Sequence, residues 1–97
     1  MGVKCRTLRY SRHAFERMFQ RNIPPDTLVQ VIANGEVIAA YPDDTPYPSV
    51  LLLGSHAGEP IHVVVAQDGA TGDCQVVTAY RPDPALWDET FRSRKPT

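Results

Sequence analysis

Residues 49–80 read SVLLLGSHAGEPIHVVVAQDGATGDCQVVTAY, and their pattern is the strongest indication of the fold. Its apolar residues form three short segments rich in Val, Leu and Ile, which favour β-strands. The predicted strands are 49–55, 61–67 and 74–80. Turn-forming residues such as Gly58-Glu59-Pro60 separate them. Because a parallel crossover needs about a dozen or more residues, these short connections predict antiparallel neighbours.

Upstream of this stretch, the periodicity of the apolar residues changes from strand to helix. A fourth strand is predicted at 37–41, and two helices precede it. Ser11 is a suitable N-cap for the first helix, whose apolar residues fall on one side: Ala14, Phe15, Met18 and Phe19. Pro24 and Pro25 end that helix and begin the second, because proline suits the first turn of a helix.

Downstream, Leu86, Trp87 and Phe91 have helical spacing and predict a short helix over 85–94. The predicted fold class is therefore α+β, in the order ααββββα: two N-terminal helices, a four-stranded antiparallel sheet and a short C-terminal helix. We expect the helices to pack on one face of the sheet and to leave the other face partly open. The whole chain, 1–97, is predicted to be one domain, with a basic N-terminal arm at 1–9, a core at 10–94 and a disordered tail at 95–97.

The composition restricts the class of protein. With 42% hydrophobic and 22% charged residues, the chain has ordinary globular proportions and is expected to fold. No apolar run approaches the roughly 20 residues of a membrane span, and the N-terminus has no secretory pattern. We therefore expect a cytoplasmic protein that makes no membrane contact. In that compartment Cys5 and Cys74 are predicted to be reduced thiols, with a disulfide between them as the alternative.

The net charge of −1 conceals a strong polarity. Residues 1–21 contain six basic side chains and Glu16 alone as an acid, whereas residues 22–91 contain ten acidic side chains and Arg81 alone as a base. A basic face on an acidic body can steer a polyanion to one side of the molecule. The alternative is a solvated helix face that attracts no ligand.

Several side chains are candidates for chemistry on a phosphodiester. His13 and Arg17 are four residues apart on the polar side of the first helix, where an imidazole can move a proton and a guanidinium can hold a phosphate. His62 interrupts an apolar strand, so it either makes a buried hydrogen bond or faces the open side of the sheet as a reactive group. Thr78, Tyr80 and Arg81 end the last strand and either bind phosphate or cover the edge of the core.

The sequence predicts neither a metal nor a cofactor. His13, His56 and His62 have none of the spacings typical of zinc ligands, and the two cysteines lack a Cys-x-x-Cys motif. There is also no glycine-rich phosphate loop.

The ordered motifs resemble a known family. They are Ser11-x-His13-Ala14-x-x-Arg17-Met18-x-x-Arg21-x-Ile23, Gly35-Glu36, Ile61-His62-Val63-Val64, Thr78-Ala79-Tyr80-x-Pro82-Asp83 and Trp87. The chain resembles the small bacterial domain of unknown function 4258 over most of its length. That family in turn resembles the RelE/barnase-like group of small toxin ribonucleases.

The resemblance implies a toxin that cleaves RNA without a metal, with RNA and an antitoxin protein as partners. It implies catalytic roles for His13, Arg17, His62 and Tyr80, and its motifs add Arg21 and Thr78 as the next candidates. Either histidine would serve as base and the other as acid, while Arg17 would stabilise the charge on the phosphate. Arg12, Arg21, Thr78 and Arg81 are the candidate RNA-binding residues.

Two alternatives remain open. The first is a non-catalytic protein-interaction or RNA-binding module of the same fold, because the acidic body also suits a basic partner protein. The second assigns the polar residues of the first helix a purely structural role, with Arg17 paired to Glu36 or to a C-terminal acid.

Overall fold

The computed structural model of the protein describes residues 2–96. In chain order, its elements are β1 (Leu8–Tyr10), α1 (Arg12–Gln20), α2 (Pro25–Asn34), β2 (Glu36–Tyr41), β3 (Ser49–His56), β4 (Glu59–Gln67) and β5 (Cys74–Tyr80). The strands form one sheet in the order β1-β5-β4-β3-β2. Strands β2 to β5 pair antiparallel with their neighbours, and β1 pairs in parallel with β5.

The predicted four-stranded antiparallel sheet with a C-terminal helix is therefore wrong in two respects. The sheet is mixed and has a fifth strand, β1, which includes residues that the sequence assigns to a basic arm. Three residues are too few to show a periodicity. The partner of β1 is also distant in sequence, since Leu8 lies opposite Cys74.

The second error concerns residues 85–94, which are not helical. Asp83 accepts a hydrogen bond from the Ala85 amide at 2.8 Å, and Asp88 accepts one from the Thr90 amide at 3.0 Å. These local bonds stabilise turns and compete with helix formation. The segment forms turns that bring Trp87 into an antiparallel bridge with Arg94.

The helices begin where the sequence predicts. The Ser11 Oγ accepts a hydrogen bond from the Ala14 amide at 3.0 Å and caps α1, while Pro25 occupies the first turn of α2. Each helix buries one apolar stripe against the sheet, and the buried residues of α2 include Leu28, Val31 and Ile32.

Strand β4 divides its side chains between the two faces of the sheet. Ile61, Val63 and Val65 join the core beneath the helices, and His62, Val64 and Ala66 alternate with them toward the opposite face. On the helix side, Gly54 allows α2 to approach β3 closely, because a Cβ at this position would lie 2.5 Å from Val31 Cγ2.

A disulfide joins Cys5 to Cys74, with a Cα–Cα distance of 5.5 Å. The prediction of two reduced thiols is therefore wrong for this structure. The parallel pairing of β1 with β5 explains the proximity. The Cys74 amide donates to the Thr7 carbonyl at 2.8 Å, and the Arg6 amide donates to the Gly72 carbonyl at 2.8 Å.

Both ends of the described chain are attached to the body. The Val3 amide donates to the Ile32 carbonyl at 2.7 Å, and the Lys95 amide donates to the Leu86 carbonyl at 2.8 Å. Of the predicted arm and tail, Met1 and Thr97 lie outside the described residues. Within residues 2–96, no helix is long and apolar enough to cross a membrane.

Candidate nucleic-acid interface

Helix α1 presents two different exposed sides around its buried residues Ala14 and Met18. His13 and Arg17 are exposed on one side. Phe15 and Phe19 are exposed on the other, and Phe19 is 81% exposed. The helix therefore offers a polar surface and an apolar surface to different ligands.

Both ends of α1 are bonded to the outer edge of β5 beyond its short pairing with β1. The Ser11 Oγ donates to the Val77 carbonyl at 3.4 Å. At the other end, the Arg21 guanidinium donates to the Ala79 carbonyl at 2.7 Å. These bonds satisfy two carbonyls of β5 and fix His13 and Arg17 between them, alongside the strand that carries Thr78 and Tyr80.

Ion pairing separates the arginines into two groups. Four are paired with carboxylates: Arg6 with Asp73, Arg12 with Glu16, Arg81 with Glu59 and Arg92 with Glu36. Within residues 2–96, no carboxylate lies within ion-pair distance of Arg9, Arg17, Arg21 or Arg94. The proposed pairing of Arg17 with Glu36 is therefore wrong, because Glu36 is held by Arg92 at 2.8 Å.

Besides Arg21, which donates to the Ala79 carbonyl, two more of the predicted RNA-binding residues have structural partners. Arg12 is exposed and pairs with Glu16 one turn along the same helix, at 3.2 Å. Arg81 pairs with Glu59 and also donates to the carbonyls of Arg21 and Asn22. Arg81 thus holds the connection between α1 and α2 against β5.

His62 and Tyr80 lie directly opposite each other on β4 and β5. The side chain of His62 is fully buried, and its Nδ1 lies 3.3 Å from the Tyr80 hydroxyl. Its Nε2 lies 2.9 Å from the Phe91 carbonyl oxygen. The Trp87 ring also meets the imidazole edge-on, with 4.5 Å between centroids. His62 therefore makes the buried hydrogen bonds that the sequence left as one of its two alternatives.

These contacts define the protonation of the imidazole. A carbonyl oxygen only accepts, so Nε2 carries the hydrogen that it donates to Phe91. Burial, opposed by this hydrogen bond, lowers the pKa of His62 below its ordinary value, and the ring is neutral at pH 7. The unprotonated Nδ1 then accepts from the Tyr80 hydroxyl, which leaves the lone pairs of the Tyr80 oxygen available to a ligand.

The Tyr80 hydroxyl lies in a polar environment at the end of the sheet. Burial raises its pKa, and nearby Tyr41 acts in the same direction, while the charges of Arg94 and Arg21 lower it. Thr78 is half-buried two residues earlier on the same face of β5. The charges of two guanidinium groups thus act on this phenol.

The predicted site residues therefore fall into two groups. Tyr80, His62, Thr78 and Arg21 lie together at the end of β5, and His13 and Arg17 are exposed on α1. His62 makes no contact with solvent and so does not share an open site with His13. Arg94 is not among the predicted site residues, because the helical spacing of its neighbours predicts a helix over 85–94.

The described residues also include no metal-binding cluster. Among residues 2–96, no three His, Cys, Asp or Glu side chains converge closely enough to hold a metal ion.

Comparison with known proteins identifies the family. The family model described as "Domain of unknown function (DUF4258)" matches residues 10–81, which include both helices and four complete strands. No curated protein and no solved structure is detectably similar to the chain. The match covers well over half of the chain and includes every predicted site residue, and the chain belongs to the DUF4258 family.

Proposed function

We propose that the chain binds RNA along the polar side of α1 and the Tyr80 end of β5. We further propose that it cleaves this RNA without a metal ion, as the toxin of a bacterial toxin–antitoxin pair. The observation that carries the proposal is the distribution of ion pairs. Arg17 and Arg21 have no carboxylate partner within residues 2–96, although the body of the protein is acidic.

Unpaired arginines suit phosphate for a physical reason. A guanidinium that already holds a carboxylate must give up that bond before it binds a phosphate, whereas Arg17 needs only to lose water. Arg21 keeps one N–H on the Ala79 carbonyl and offers its other N–H groups. Arg17 lies one helical turn from His13, so a phosphate held by Arg17 is within reach of the imidazole. This arrangement supports phosphodiester chemistry on α1.

The proposed reaction uses a 2′-hydroxyl of the RNA as its own nucleophile. His13 removes the proton from the 2′-hydroxyl, and the resulting oxygen attacks the adjacent phosphorus. The bond from phosphorus to the 5′ oxygen breaks, and that oxygen takes a proton from solvent. The products are a 2′,3′-cyclic phosphate and a 5′-hydroxyl. Arg17 stabilises the charge that develops on the phosphate oxygens.

In this proposal Tyr80 binds and positions the RNA, and His62 orients Tyr80. Because the Tyr80 hydroxyl donates to His62, its oxygen can accept a hydrogen bond from the RNA. The 2′-hydroxyl is the donor that distinguishes RNA from DNA. His62 fixes the orientation of Tyr80 and remains neutral and buried.

The test is a cleavage assay with the purified chain, in the presence of EDTA for the free oligonucleotides and of Mg²⁺ for the ribosomes, whose subunits need it to stay together. Substrates are a single-stranded RNA oligonucleotide, its all-DNA equivalent and mRNA bound to ribosomes, and the products are analysed for cyclic phosphate ends. We expect cleavage of one of the two RNA substrates and none of the DNA. His13→Ala should reduce the rate by about 100-fold or more, the usual contribution of acid–base catalysis.

Arg12→Ala is the matched control for Arg17→Ala, because both remove one exposed arginine from α1. Arg12 is paired with Glu16, and Arg17 is not paired with a carboxylate in the described chain. The proposal requires a large loss of rate in Arg17→Ala and a small one in Arg12→Ala. Equal rates in the wild type, His13→Ala and Arg17→Ala would contradict it.

One observation favours the non-catalytic interaction module. Phe15 and Phe19, with Met18, Ile23 and two prolines, line an open groove of about 370 Å³ beside α2. An exposed aromatic pair of this kind is typical of protein-binding surfaces. RNA binding that is salt-dependent and is lost in the Arg17→Ala, Arg21→Ala double variant would favour the RNA site, since phosphate contacts release counterions. Absence of such binding would favour the interaction module.

A further inference from the structure

The segment that follows β5 lies over one end of the sheet, and we call residues 82–95 the C-terminal strap. It folds back on itself: the Asp88 amide donates to the Ser93 carbonyl at 2.9 Å, and Trp87 forms a bridge with Arg94. The strap lies outside residues 10–81, which the family model matches. Its residues therefore add features that the family match does not describe.

Three contacts hold the strap in place. Trp87, only 9% exposed, packs edge-on against His62. The Phe91 carbonyl accepts a hydrogen bond from His62 at 2.9 Å. Arg92 donates to both carboxylate oxygens of Glu36 on β2. Together these contacts fix the backbone on both sides of residue 91.

Arg94 is positioned by this arrangement. Its guanidinium lies over the Trp87 ring, 5.7 Å from the ring centroid, and the side chain is exposed. Within residues 2–96 it has no carboxylate partner, in contrast to Arg92 two residues earlier. Trp87 in turn contacts His62, the hydrogen-bond partner of Tyr80. The chain of contacts thus leads from Arg94 to Tyr80.

We propose that Arg94 binds a phosphate of the RNA and that the C-terminal strap supplies it to the site at the end of β5. This inference rests on the proposed function, because it takes RNA as the ligand. A guanidinium in a cation–π contact with an aromatic ring keeps N–H groups available, and these can donate two parallel hydrogen bonds to a phosphate. The contact with Trp87 also restricts the side chain before the ligand arrives, which reduces the entropy lost on binding.

A second observation agrees with this position. The positive charge of Arg94 lowers the pKa of the Tyr80 hydroxyl, although burial raises the pKa more strongly. Arg21 acts on the same hydroxyl from α1. The charges of one guanidinium from α1 and another from the strap therefore both act at the Tyr80 hydroxyl.

The test compares Arg94→Ala and Arg94→Lys with Lys95→Ala, which removes the same charge from the next residue of the strap. Binding of an unmodified single-stranded RNA oligonucleotide is measured at several salt concentrations, and cleavage is prevented by introducing His13→Ala into every protein compared, the wild type included. Arg94→Ala should weaken binding by about tenfold or more. It should also reduce the slope of log K against log salt by about 0.7, as expected for one lost phosphate contact on a single strand.

The controls separate this inference from the proposed function. Lys95→Ala should leave the salt slope near that of the wild type. Arg94→Lys should keep most of the slope and lose affinity, because an ammonium retains the charge without the two-point contact. If the wild type binds RNA and Arg94→Ala behaves like Lys95→Ala, the role of Arg94 is overturned and the proposed function stands. If the wild type binds no RNA, both are overturned.

Discussion

At the scale of single residues, His62 has the most unusual environment among the titratable side chains. It lies among valines on β4 and is fully buried, and both ring nitrogens have partners. A neutral imidazole has one donor and one acceptor, and the Phe91 carbonyl and the Tyr80 hydroxyl match them. His62 links the two strands to the C-terminal strap.

This environment predicts a specific pH dependence of stability. The pKa of His62 in the folded protein lies below its ordinary value of 6.5, so the unfolded chain binds the proton more readily. Stability is therefore fully present above about pH 6.5 and is lost as the pH falls below it. The slope can reach about 1.4 kcal/mol per pH unit. Urea unfolding between pH 7.5 and pH 5 measures it.

The control for this effect is His62→Gln, because an amide supplies a donor and an acceptor without titrating. The variant should lose the part of the pH dependence that lies below pH 6.5, whereas His13→Gln, a change at an exposed position, should retain it. The same curve in His62→Gln and in the wild type would show that the imidazole is not protonated on unfolding in this range.

At the scale of elements, the sequence predicted both helices and four of the five strands. The observed β5 has the predicted boundaries, 74–80. The strand begins directly after the turn at 68–73, and it ends where the apolar alternation ends. The features that were not predicted correctly share one property: each depends on partners that are distant in sequence. Strand β1 exists because β5 lies beside it, and the strap is held by His62 and Glu36 rather than by its own periodicity.

The same dependence on a distant partner explains why the sequence favoured reduced thiols over the disulfide. Sixty-nine residues separate Cys5 from Cys74, and only the β1–β5 pairing brings them together. Most of the candidate site was predictable from the polar side of α1 and the end of β5. Arg94 was not, because its position depends on the turns of the strap.

The disulfide makes an element-level prediction about stability. Closing so long a loop restricts the unfolded chain, and the entropic model gives a contribution of about 4 kcal/mol. Reduction with dithiothreitol should therefore lower the free energy of unfolding by about that amount in urea titrations. Cys5→Ala should be equally destabilised and should not respond to reductant. No difference between the oxidised and reduced wild type would contradict the expected contribution of this bond.

At the scale of the whole molecule, the arginines without carboxylate partners and the apolar groove occupy different surfaces. Four arginines form ion pairs with carboxylates, and the arginines without a carboxylate partner in the described chain lie on β1, along α1 to its C-cap, and on the strap. The apolar groove beside Phe19 lies on a different side of α1 from Arg17. This separation allows RNA and a protein partner to contact α1 on different sides.

The most direct test of the RNA site on α1 and β5 is an NMR titration of the isotope-labelled chain with a short RNA that has one 2′-deoxy substitution, at the cleaved nucleotide, and 2′-hydroxyls elsewhere. We expect salt-dependent shifts at His13, Arg17, Arg21, Tyr80 and Arg94, with Phe15 and Phe19 unaffected. Shifts confined to the apolar groove, or no shifts at low salt, would contradict the assignment of an RNA site to α1 and β5.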